Sequence, residues 1–121
     1  MTADMERLLA RLREYEPFDG AAILDDVEAL LDGAAPDEED VEELAMRLRG
    51  HSMQLVQIAV ANGADQTGTE ASRLIQMART LRAEEMPDDH GQAVGLLRRM
   101  ACSVNDLHDH LGAHNFLRQT A

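Results

Sequence analysis

Lysine is absent from the 121 residues, and all 11 basic side chains are arginine. That removes a Schiff-base lysine, a lysine-bound pyridoxal phosphate and a phosphate-loop lysine together. Tryptophan is missing too, and Tyr15, Phe18 and Phe116 are the only aromatic residues. Any core is therefore aliphatic, with methionine, an unbranched side chain, filling its irregular gaps. Cys102 is the single cysteine, so no internal disulfide forms. No apolar run approaches the roughly 18 residues of a membrane span, and no signal-peptide pattern opens the chain. Cytoplasmic localisation without a membrane partner is the expectation. There is no glycine-rich phosphate loop, nucleophile elbow or HExxH pattern, and no cofactor is implied.

What is present is acid. The formal net charge is −12, which argues against direct binding of nucleic acid, since that needs a basic footprint. The charge is uneven: residues 1–50 carry 15 of the 23 acidic residues and 5 of the arginines. Such a surface is a solvated face, a docking surface for a basic partner, or a mimic of nucleic acid that occupies another protein's site.

Hydrophobic periodicity reads as helix throughout, and no alternation of useful length suggests a strand. Thr2 to Glu16 carries the stripe Met5, Leu8, Leu9 and Leu12, ending at Pro17. Asp19 caps a second short helix with Ile23, Leu24, Val27, Leu30 and Leu31, stopped by Gly33. The longest pattern runs from Asp37 to Asn62, with Val41, Leu44, Ala45, Leu48, Leu55, Ile58 and Ala59 on one stripe. Met46, Met53 and Val60 form a second stripe on it, so this helix is expected to be central, with neighbours on both sides. The N-terminal pair is expected to cover the second stripe unless another subunit does. Gly63 ends the helix. Two more follow, one from about Ala71 to Glu85 before Pro87, the other from an Asp88 or Asp89 cap to His114. The expectation is one all-α domain over 1–121, an antiparallel bundle. It comprises an N-terminal helical pair in 1–35, three long helices in 37–114, and a frayed tail at 115–121.

Five histidines are the most suggestive chemical feature. Asp106, His110 and His114 share one helix face at four-residue steps, the arrangement a two-histidine, one-carboxylate metal site would use. The plainer reading is a histidine cluster favoured by the negative end of the helix dipole. His51 falls on the inward stripe, where an imidazole needs a hydrogen-bond partner. If the first and third long helices start level, His51 meets Val104 to Leu107, and Gln76 on the middle helix is its expected partner.

At LRGH (Leu48 to His51) and RMACSVNDLHDH (Arg99 to His110) the chain resembles a family of small uncharacterised all-helical proteins of soil bacteria associated with natural product biosynthesis. The matching residues are Arg49, Gly50, His51, Ala101, Ser103, Leu107, Asp109 and His110. Leu111 stands where an aromatic residue accompanies the pattern. The resemblance implies no reaction, but it suggests that Arg49, His51, Asp109 and His110 converge, with Arg49 and Asp109 as an ion pair between helices. His51, Asp109 and His110 are thus the candidate catalytic or ligand-binding residues. Met46, Met53 and Val60 are the candidate partner-binding residues. The reading favoured is a non-enzymatic accessory protein that binds another protein or a second copy of itself. A ligand pocket or enzyme at His51 comes second, and an acidic nucleic-acid mimic third.

Overall fold

A computed structural model describes residues 19–63 and 69–113. Four α-helices make up the described chain: α1 (Gly20–Leu31), α2 (Val41–Ala61), α3 (Thr69–Ala83) and α4 (His90–Ala113). A 3-10 turn, Glu38–Asp40, leads into α2. No strand occurs among the described residues. The helix expected over Thr2 to Glu16 lies outside them, as do His114 and the tail.

The helix boundaries follow local chemistry. Asp19 caps α1 by accepting from the Ala22 amide at 3.0 Å, and Asp89 does the same for α4 at the Gln92 amide, 2.9 Å away. Gly63 closes α2 with φ of 71°, the left-handed conformation glycine adopts without steric cost. Gly33 ends α1 for another reason. A Cβ there would stand 2.5 Å from the Ala29 carbonyl oxygen, so the turn needs a residue with no side chain at the close approach.

One apolar cluster joins all four helices. Leu48, Leu55, Ala59, Leu97, Ala101 and Leu111 are fully buried in it. From α1 come Ile23, Val27 and Leu30, each at most 4% exposed; burying such side chains contributes roughly 1.5–3 kcal/mol apiece. This is more than a 12-residue helix supplies by its own propensity.

The most enclosed helix is α4, not α2. It packs against each of the other three and buries ten side chains, Val94 and Leu96 widening its stripe. In α2 the second stripe does not find the expected cover. Met46 is 68% exposed, Met53 42% and Val60 40%, because α1 lies chiefly along α4 and touches α2 on its polar flank. α3 and α4 run in opposite directions: Glu70 opens α3 near His110, and Glu84 follows α3 beside Arg99. No described helix is long and apolar enough to cross a membrane.

Candidate functional site

The seam between α1 and α2 is held by charge. Asp26 stands beside the stripe of Ile23, Val27 and Leu30, so its carboxylate turns toward α2 with only 16% of the side chain exposed. One oxygen, Oδ2, lies 2.7 Å from Nε2 of His51. The other accepts from Nη1 of Arg47 at 3.3 Å. Arg47 and His51 are four residues apart and share a helix face, which lets one carboxylate meet both. Arg47 also donates to Glu43 at 3.3 Å. His51 itself is half-buried. A carboxylate on one ring nitrogen fixes the orientation of the imidazole, as in sites where histidine moves a proton.

Gln76, the expected partner of His51, is instead exposed on α3. Gln76 sits on a long helix, whereas the short helix α1 reaches the flank His51 presents. Arg49 also departs from expectation. Its Nη2 donates to the Glu84 carbonyl at 3.0 Å, closing the end of α3, so it is no ion pair with Asp109.

Asp109 is 70% exposed and accepts a 3.5 Å hydrogen bond from Asn105. His108 Nδ1 is 3.9 Å from its other oxygen. Ser52, next to His51, shares a crevice with Met100 and Ser103. His51 is therefore level with that turn of α4, and Asp109 and His110 stand about two turns, roughly 10 Å, further along.

Two members of the histidine ladder, Asp106 and His110, are described, and they face the start of α3. There Arg73 donates to Glu70 at 2.8 and 3.2 Å. The hydrogen bond from Arg73 holds the Glu70 carboxyl below its ordinary value, with His110 adding at longer range. Glu70 in turn raises Arg73, and Asp106 adds to this. Among the described residues no group of three or more His, Cys, Asp or Glu side chains is placed to hold a metal ion.

The outer face of α2 completes the inventory. Met46, Met53 and Val60 recur two turns apart on it. Glu42 extends the stripe toward the helix start, and the exposed Gly50 and Gln57 lie between its apolar members. A Cβ on Gly50 would meet nothing within 4 Å, so packing inside the chain does not require glycine there.

Set against known families, residues 21–115 match DUF6415, a family of unknown function. The chain belongs to that family. No curated protein and no solved structure matches it. The DUF6415 match takes in all four helices and thus both Asp26 and His51, the outer stripe of α2 and the turn from Met100 to Ser103.

Sequence reasoning missed Asp26 as a site residue. The available signal was an acid at the edge of an apolar stripe, a position where a carboxylate is drawn part-way inside.

Proposed function

We propose that this DUF6415 protein is a non-enzymatic accessory protein that docks a partner on the outer face of α2, in bacterial natural product biosynthesis. One observation carries the reading: the stripe Met46, Met53 and Val60 is solvent-exposed along two turns on either side of Met53. Methionine suits such a surface, because its flexible, polarisable side chain adapts to the contours of a partner. The stripe begins among exposed Glu39, Glu42 and Glu43, and the whole chain is acidic. The matching occupant is a helix with an apolar face and basic flanks. A second copy fits less well, since two such acidic faces repel. The antiparallel bundle belongs to the same proposal.

The test is capture from the native host by wild type and by Met46→Glu/Met53→Glu. The variant is expected to melt like wild type and lose the captured protein, whose contact segment is basic and amphipathic. Equal capture by both proteins would overturn the reading.

The 2.7 Å contact between Asp26 and His51 supports a second reading, a ligand-binding or catalytic site in which Asp26 orients His51. In that case His51→Gln abolishes ligand binding while Asp26→Asn weakens it with a changed pH profile. A protein that binds no ligand, or binds it equally well as His51→Gln, has no such site.

A further inference from the structure

Six large apolar side chains are exposed among the described residues, and they fall on two faces. Met46, Met53 and Val60 line the outer side of α2. The other three, Leu24, Leu31 and Met77, border the exposed strip of α4 from its two sides. On α3, Met77 follows Glu70 by two turns and Arg73 by one and precedes Glu84 by two, so it shares their flank. That flank meets α4: Glu84 lies 3.5 Å from Arg99, and Glu70 and Arg73 stand near His110 and Asp106. Leu24 and Leu31 stand on the side of α1 turned away from Asp26, and therefore from α2. Arg98 of α4 ties α1 down there by donating to the Leu30 carbonyl at 3.2 Å. Between these borders α4 exposes Gly95, Arg98, Arg99, Cys102, Asp106 and Asp109 on one face. A Cβ on Gly95 would meet nothing within 4 Å. Glycine inside a helix lowers its stability relative to alanine, and packing within the chain does not call for it here.

We propose that this strip is the interface of a homodimer, two copies meeting α4 against α4 in antiparallel register about Cys102. The order of charge selects the occupant. Both arginines of the strip precede Cys102 and both aspartates follow it. An antiparallel copy therefore sets Arg98 and Arg99 against Asp106 and Asp109 of the other, and the same pairs recur across the twofold axis. A parallel copy would set like charge on like. The strip is also balanced, two arginines against two aspartates, where the chain as a whole stands at −12, so a second copy meets less repulsion here than on the acidic faces. The contact of Arg99 with Glu84 competes weakly, since the two side chains are 61% and 41% exposed. Gly95 and Cys102 are small and let the helices approach closely. An axis across α4 lays α1 over α1 and α3 over α3, which covers Leu24, Leu31 and Met77 with the same side chains of the other copy. The dimer leaves the outer face of α2 open in both copies and stands whether or not a partner docks there.

The test is sedimentation velocity of the full chain across a range of concentrations. Wild type is expected to show a monomer–dimer equilibrium, and a short bismaleimide is expected to link the two Cys102 thiols of the dimer. Arg99→Asp and Asp106→Arg should each weaken self-association about tenfold or more, because each sets like charges together twice across the axis. Helix content should stay that of wild type in both. Mixed together, the two variants should form a heterodimer as tight as the wild-type dimer, since opposite charges then face each other again at both positions. Met46→Glu/Met53→Glu should dimerise as wild type does. A chain that stays monomeric at every concentration, single variants that dimerise like wild type, or a mixture no tighter than either variant alone would overturn the proposal. So would a dimer that Met46→Glu/Met53→Glu dissolves, because the copies would then meet through α2.

Discussion

The two flanks of α2 invert the usual sorting of side chains. Toward α1, the carboxylate of Asp26 is partly buried, held between the half-buried His51 and the exposed Arg47. On the outer side, Met46, Met53 and Val60 are apolar and exposed. Burial of charge persists only where each group finds a partner, so the inner flank is a joint that docks α1. Exposure of an apolar stripe gains nothing within the chain, and the proposed function gives the outer flank its use as a docking surface.

Substitutions can break this contrast, and the largest effect lies between the flanks. Leu48 is fully buried, and Leu48→Ala is expected to cost about 2–5 kcal/mol in chemical denaturation, by transfer and by the cavity left behind. At the joint, His51→Ala removes a hydrogen bond to a carboxylate and is expected to cost about 1.5–3 kcal/mol. It should also speed amide exchange across α1 more than across α3. A variant as stable as wild type, with α1 unaffected, would mean that the joint does not hold α1. On the outer flank, Gly50→Ala is expected to stabilise by about 0.5–1 kcal/mol, since the helix gains propensity and the added methyl meets nothing. The same methyl adds bulk between Met46 and Met53 on the exposed face and should weaken partner capture. A loss of stability would show that some other part of the chain meets the added methyl.

The smallest effect concerns pH. Arg73 holds the Glu70 carboxyl below its ordinary value, so the contribution of this pair is present above the carboxyl range of the unfolded chain. It is lost as pH falls through the lower folded value. Both groups lie in solvent, and screening keeps the effect slight. Glu70→Gln should flatten that limb of the melting curve against pH; a curve superimposed on wild type would remove the pair from the account.

Much of the architecture was legible in periodicity. Of the α1 stripe, Ile23, Val27 and Leu30 are buried as the spacing put them while Leu24 and Leu31 are exposed, and Asp19, Gly63 and Asp89 cap as their chemistry dictates. What periodicity does not carry is which helix covers which flank. The second stripe of α2 looked like a face awaiting a neighbour, because spacing records that Met46, Met53 and Val60 align and not whether anything lies opposite. His51 was legible as a side chain in need of a partner. Asp26 was not legible as that partner, since the choice depends on where a short helix docks across 25 residues of chain. Ser52 and Ser103 were invisible as a pair, because small polar residues at helix crossings carry no spacing signature of their own.

The most direct measurement replaces Met53 with a photo-crosslinking residue in the full chain and irradiates it in the native host. A partner docked on the outer face of α2 predicts one dominant adduct with another protein, mapped to a basic amphipathic helix. Adducts only with the chain's own residues 1–18 or with a second copy, or no adduct at all, would contradict it.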